Sequence, residues 1–562
     1  MNNTPTPNPT TPPTPYTFTP HTPPTAKLAY AYGPADFVLA LILWVAGYLF
    51  WAVTPVMEHP LLAFGFEVIL FVGGSVLLSR KSVGGKLSAR GIITVIVSLA
   101  LALSMVLTTN KAIINCVYLW NCLAWFYLVF TTTGNSRERA PGQYFIGELC
   151  SATFSMPFKA PANLFSALFG ARKNPDGTPR PRKGSATVGW ILLGLAIAVI
   201  PTLIVALLLS YDKGFSNIMD NILDEIFSAD EIFRQLRNIG LGILVGALMF
   251  GAILAGKHKK GKNIDPAEAP AGTSALPKSD GAHVLPVALV AATLTPILVI
   301  YVIFFVSQWD YYVSAFTGVR PEELTFSDYA REGFFQLLAV AVINAVLSLG
   351  ASLLTKRRPE NPDKPNRDRT HPVTRIYMAV MALSTLILIA TAVAKMLLYV
   401  DTYGMTHKRT YATWLMLLLA VCFVAVILRQ IFSRMNLTGT LLAIFLVFFV
   451  AISVVNVDSL IMKYNVSAAI DGNLRTMQGD VLEDCGHSGV LAALDFMEAT
   501  ADPDFKPADP VEFSPEQLAN IRAATHDYLD RAAGELGEMK WYEHNPVTLR
   551  AKAALEKAGY KT

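Results

Sequence analysis

The chain has 562 residues, of which 53% belong to the apolar set AVILMFWYC and only 16% are charged, and its mean hydropathy is +0.42. Soluble chains carry roughly 25% charged residues, so a soluble multidomain enzyme is excluded, and apolar blocks near the ~20 residues a helix needs to cross hydrocarbon indicate a polytopic membrane protein. The net charge is +4, and five cysteines exclude a disulfide scaffold.

Residues 1–33 form a Pro/Thr-rich tail that starts MNNTPTPNPTTPPTPYTFTPHTPPTA and lacks the basic, then apolar, order of a secretory signal. It reads as a disordered cytoplasmic segment with polyproline-II character. Eleven spans are expected, near 36–54, 60–79, 91–108, 113–131, 187–209, 238–256, 284–306, 333–354, 376–399, 410–430 and 438–456. The third and fourth are separated only by Thr109, Asn110 and Lys111, so they form a tight hairpin or a broken pair. Segment 144–170 is interrupted by Pro157 and Pro161 and carries Glu148 and Lys159, so it is expected to be interfacial or re-entrant. Residues 34–209 then make an N-terminal bundle and 210–456 a C-terminal one. Within the latter, 214–236 is amphipathic and acidic, as a surface lid helix would be. Pro201 and Pro296 predict kinks, and Gly242 with Gly246 forms one GxxxG suited to close helix packing.

Alternate loops hold 25 Lys and Arg against 8 in the others. Positive charge stays cytoplasmic, which places the N-terminus inside and, with an odd span number, the C-terminal segment outside. Residues 457–562 read as a small helical extracytoplasmic domain, with 10 basic against 18 acidic residues. Helices are expected near 489–500, after Ser514-Pro515-Glu516-Gln517, and from Asn545-Pro546 to a glycine stop at Gly559. The fold class is therefore all-α, a polytopic membrane protein with a helical outer domain.

No P-loop, H-E-x-x-H, C-x-x-C, G-x-S-x-G or paired metal-ligand spacing occurs, so no catalytic residue, metal or cofactor is assigned. The cysteines read as small buried residues. Ionisable residues inside spans are costly and informative. Glu67 and Lys395 lie at similar depth below the outer interface and form a candidate intramembrane ion pair; the alternative is that Lys395 snorkels while Glu67 reaches the interface or is protonated. A candidate outer-face polar cluster gathers Tyr329, Arg331, Glu332, Asp401, Tyr403, Arg409, Tyr411, Asp458 and Tyr464 at the outer ends of the later spans. It reads either as a tyrosine belt with structural ion pairs or as a pocket for a ligand, lipid headgroup or partner.

Three stretches in order, YAREGFFQLLAVAVIN, AKMLLYVDTYGMTHKRTYATWLM and NVDSLIMKYNV, followed by GDVLEDCGHSGVLAALDFM, resemble bacterial polytopic membrane proteins of the domain-of-unknown-function 4153 and 4173 type over about 326–500. The resemblance implies a bacterial cell membrane and brings no activity or catalytic residue. The functions expected, in order, are a non-enzymatic surface sensing or envelope-organising protein, a secondary transporter or channel-like protein, and an outer-face membrane enzyme. The partners expected are the lipid bilayer and an extracytoplasmic protein or small ligand, with no nucleic acid.

Overall fold

A computed structural model of the chain describes residue 32 and residues 34–53, 60–80, 86–136, 140–142, 144–169, 230–260, 285–307, 334–356, 358, 370–432, 435–471, 479–502 and 515–562. The N-terminal tail, the span expected at 187–209 with Pro201, and most of the lid segment 214–236 lie outside these residues. Ten helices among the described residues are long and apolar enough to cross a membrane, and they occupy the other ten expected places.

Helix α1 (Pro34–Ala52) is followed by α2 (Pro60–Leu78), which contains a π-helical turn at Ile69–Gly73. Helices α3 (Ala89–Leu107) and α4 (Lys111–Thr132) form a hairpin. Its turn is set by Asn110, whose side chain accepts from the Ile113 amide at 3.1 Å and caps α4. The described part of segment 144–170, residues 144–169, is a broken helix: α5 (Phe145–Cys150), a π turn at Ser151–Ser155, a 3-10 turn at Pro157–Lys159 and α6 (Asn163–Phe169). Pro157 and Pro161 explain the interruptions, because each lacks an amide donor. The segment buries Ala152, Met156 and Leu164 and exposes Phe154 and Phe158.

Helix α7 (Asp230–Lys260) starts eight residues before the expected span. It runs antiparallel to α1, with Tyr48 Oη donating to Gln235 Oε1 at 2.5 Å near one end and Asp36 3.7 Å from Lys257 near the other. Between them Gly47 faces Gly242 and Gly246, so the GxxxG packs against the backbone of α1. Close approach of backbones at small residues is how membrane helices gain contact where no hydrophobic force acts between them.

The second group comprises α8 (Val287–Ser307), α9 (Phe334–Leu354), α10 (Pro372–Tyr403) and α11 (His407–Ile431), which share one apolar core around Leu294, Met381, Ala392 and Phe423. Inside it Tyr301 Oη donates to Asn344 Oδ1 at 2.7 Å, and Asn344 Nδ2 donates to Thr385 Oγ1 at 2.8 Å. Interhelical hydrogen bonds in membranes average only about 0.6 kcal/mol. Asn344→Leu removes two of them and is therefore expected to cost about 1–2 kcal/mol in a denaturation titration, because Thr385 keeps its bond to the Met381 carbonyl while the Tyr301 hydroxyl loses its acceptor. Helix α12 (Leu437–Val454) bridges the groups, touching α11 on one side and α3 and α4 on the other. Trp414 Nε1 donates to the Phe448 carbonyl at 3.2 Å, and Trp120 packs on Phe445 and Phe449.

The described flanks of the basic loops meet at one end of the bundle. Arg90, buried at the start of α3, holds Glu148 at 2.7 Å and donates to the Ala140 carbonyl. Asn436 reaches the Pro141 carbonyl at 2.7 Å, Arg375 reaches the Gln430 carbonyl at 2.9 Å, and a bridge joins Leu285 to Thr355. At the opposite end stand the short connectors 108–110, 404–406 and 455–456 and the C-terminal helices. These are α13 (Val457–Ile470), α14 (Gly479–Asp484), α15 (Val490–Ala499), α16 (Pro515–Glu538) and α17 (Pro546–Lys557). Asn545 and Thr548 cap α17 reciprocally, and Gly559 at φ 90° ends it. The apolar core of these helices (Ile461, Val490, Phe496, Leu529, Leu536, Leu555) is continuous with the span ends Ala63, Phe66, Met105, Ile114 and Val117.

Candidate functional site

The polar residues at this end divide into two sets. In the first, Arg409 donates to the Tyr403 carbonyl at 2.9 Å and the Gly404 carbonyl at 2.5 Å, and its guanidinium lies 4.1 Å from the Tyr399 ring centroid. These are the last carbonyls of α10, which have no partner within the helix, so Arg409 closes the α10–α11 turn. Gly404 sits there at φ 76°, a conformation open to glycine. Asn465 pins the same turn, accepting from the Met405 amide at 2.6 Å and donating to its carbonyl at 2.9 Å. Tyr464 Oη donates to Asp401 Oδ1 at 3.0 Å, and burial together with that carboxylate pushes the phenol up to about 12. The Tyr403 ring stacks edge-on against Tyr399.

The second set is centred on Asp458, 1% exposed. Its Oδ1 accepts from Asn110 Nδ2 at 2.7 Å and lies 2.7 Å from His407 Nε2. Asn110 caps α4, His407 opens α11 and Asp458 lies in the first turn of α13, so three helix N-termini converge on one carboxylate. Each carries a partial positive charge of roughly one half, and this is why a buried aspartate is tolerated here. The other imidazole nitrogen, Nδ1, faces Asp484 at 4.0 Å. Nearby, Asn456 Nδ2 donates to Ser488 Oγ at 3.1 Å, which is 3.0 Å from Thr109 Oγ1.

Beside this set lies a cavity of 640 Å³. Its membrane-side wall includes Met105, Asn110, Lys111, His407 and Tyr411; its opposite wall includes Asp484, His487, Glu535, Met539 and Asn545. His487 Nε2 is 3.1 Å from Glu535, and burial lowers the imidazole below its ordinary value. Tyr528 donates to the Gly486 carbonyl, and burial pushes its phenol up. Burial does the same to the Cys485 thiol, which is a fully enclosed packing residue.

Of the expected cluster, Tyr411 borders the cavity, Asp458 lies behind it against His407 and Asn110, and Arg409, Tyr403 and Asp401 gather at the α10–α11 turn, with Tyr464 of α13 bonded to Asp401. Tyr329, Arg331 and Glu332 lie outside the described residues. Glu67 on α2 and Lys395 on α10 are both 2% exposed. Glu67 Oε2 accepts from Asn121 Nδ2 at 3.3 Å. Sequence reasoning did not single out Asn110, His407, Asp484, His487 or Glu535. Asn110 and His407 each stand at or beside a helix-capping position in a very short connector, and that was the one signal available.

A family model described as a domain of unknown function, DUF4153, matches residues 93–494, well over half of the chain. The chain belongs to the DUF4153 family. No curated protein and no solved structure matches it. The DUF4153 region contains Asn110, His407, Asp458 and Asp484, whereas Glu535, Met539 and Asn545 lie beyond it. In this DUF4153 protein the cavity is thus built jointly by the family region and the helices that follow it.

Proposed function

We propose that this protein is a multi-pass protein of the bacterial cell membrane that recognises a small polar ligand at its outer face without turning it over, and so senses or organises the envelope. One observation carries the reading: a cavity bordered on one side by His407 and Asn110, the two partners of buried Asp458, and on the other by the C-terminal helices. Ligand sites are concave, with a few convergent polar groups, and a site between two structural units lets occupancy bias how they dock. The basic end of the bundle is taken as cytoplasmic by the positive-inside rule.

Two labelling experiments test this. Trp541 is 82% exposed on the C-terminal helices' side, and Lys356 is exposed at the basic end. Trp541→Cys should react with an impermeant maleimide on intact cells, and Lys356→Cys only after lysis; the reverse pattern would invert the orientation. Ala112 is exposed on the cavity wall. Ala112→Cys in the full chain should react with iodoacetamide at a rate near that of Trp541→Cys. No reaction would make the cluster a closed structural lock and remove the binding reading.

Secondary transport is the second reading, favoured by buried Glu67 just before the π turn of α2, since π turns often mark functional positions. Glu67 is absent from the cavity wall. The full chain in proteoliposomes is expected to show no proton flux under an imposed gradient. Flux that disappears in Glu67→Gln would place transport first.

A further inference from the structure

We propose that the turn between α16 and α17 inserts Trp541 into the headgroup layer of the adjacent phospholipid leaflet, with Lys540 facing lipid phosphates, so that the C-terminal helices hold the membrane as well as the bundle. The inference goes beyond the ligand reading of the cavity and does not depend on it. The Glu543 amide donates to the Lys540 carbonyl at 3.0 Å, and the Lys540 amide donates to Glu543 Oε2 at 2.8 Å. These two bonds fix a four-residue turn with Trp541 and Tyr542 at its corner. Trp541 is the most exposed large apolar side chain among the described residues. Its ring meets Tyr542 edge-on at 5.6 Å, and Lys540 Nζ lies 5.8 Å from the Tyr542 ring centroid.

An exposed apolar side chain standing alone in water needs no explanation. Position separates this one. Met539, Glu543 and Asn545, on either side of Trp541, line the cavity together with Pro60 and Lys111, the first residues of the α2 and α4 spans. Arg234, close enough to Lys540 to repel it, stands on α7 three residues before that span begins at Arg237, less than one helical turn away. The turn thus lies beside the ends of three spans, where hydrocarbon gives way to headgroups. Trp and Tyr concentrate at that level, because each joins an apolar ring to one polar group that stays wet. A lysine there carries its ammonium out to the phosphates. Glu543 attracts the Lys540 ammonium and Arg234 repels it, and the lysine stays exposed. The headgroup layer is hydrated, so a reagent dissolved in water still reaches this position. The cavity wall made by Met539, Glu543 and Asn545 is then seated on the leaflet.

The full chain and its Trp541→Phe variant are compared in phosphatidylcholine nanodiscs, and the difference in tryptophan emission isolates Trp541. Phosphatidylcholine brominated near the glycerol end of its acyl chains should about halve that difference emission, because bromine quenches on contact. Lys540→Glu turns the flanking charge against the phosphates and should weaken the quenching. Difference emission that brominated lipid leaves unchanged, and that iodide quenches as it quenches free tryptophan, overturns the proposal, since the turn then stands in water. Emission protected from both quenchers overturns it as well, since a protein surface then covers Trp541. Quenching unaltered in Lys540→Glu overturns the phosphate contact and leaves the aromatic insertion standing.

Discussion

Asp458→Ala is expected to destabilise the protein by about 2–3 kcal/mol, the range for stripping a buried acceptor from two hydrogen-bonded partners. The side chain is 1% exposed and serves two other segments at once. Its loss leaves the Asn110 amide and His407 Nε2 without their shared acceptor and removes the carboxylate on which three helix N-termini converge. Thermal unfolding of the full chain in detergent should show the loss. Limited proteolysis should show it first in α14–α17, because those helices dock on this end. Asp458→Asn keeps an acceptor of the same shape and should lose about half as much. Unchanged unfolding in Asp458→Ala would mean that the set is not what fastens the C-terminal helices to the bundle.

Gly242→Leu is expected to cost at least about 3 kcal/mol, the top of the usual range for overpacking. A Cβ at Gly242 would lie 2.6 Å from the Tyr48 Cα, and one at Gly246 would lie 2.7 Å from the Leu43 carbonyl oxygen. The neighbour in each case is backbone, which cannot rotate away as a side chain would, so α1 must separate from α7. Yield of folded protein and unfolding temperature should both fall. Gly65 is the control, because a methyl group added there would meet nothing within 4 Å. Gly65→Ala should be neutral or gain up to about 1 kcal/mol from helix propensity. Equal stability of Gly242→Leu and Gly65→Ala would show that the close α1–α7 contact does not contribute to stability.

The spans were legible because hydrocarbon thickness imposes a length and a composition that any sequence must satisfy. The start of α7 at Asp230 was not, because its first turns are polar and amphipathic and escape an apolar window. Gly242 and Gly246 announced a close contact, but nothing in the spacing named Gly47 as its other side. Glu67 shows the limit plainly. Sequence gives the depth of a residue in the membrane but not the direction its helix face points, and Glu67 turned toward Asn121. The same holds for the site. Asp458 stood out as an acid at a span exit, whereas Asn110 lies 348 positions from it in the chain. Such partners are set by tertiary packing and leave no local period to read. The family likeness, read over about 326–500, extends back to residue 93 and so takes in the α3–α4 hairpin that supplies Asn110.

The continuous core under α13–α17 has a consequence for how the protein is made. These helices leave the ribosome after the spans, and part of their apolar surface belongs to α2, α3 and α4. A chain halted after Val454 presents Met105, Ile114 and Val117 without their cover. Completion of the last hundred residues thus closes a surface that a membrane protease would otherwise meet. Prematurely terminated or C-terminally misassembled copies should be short-lived in pulse-chase labelling.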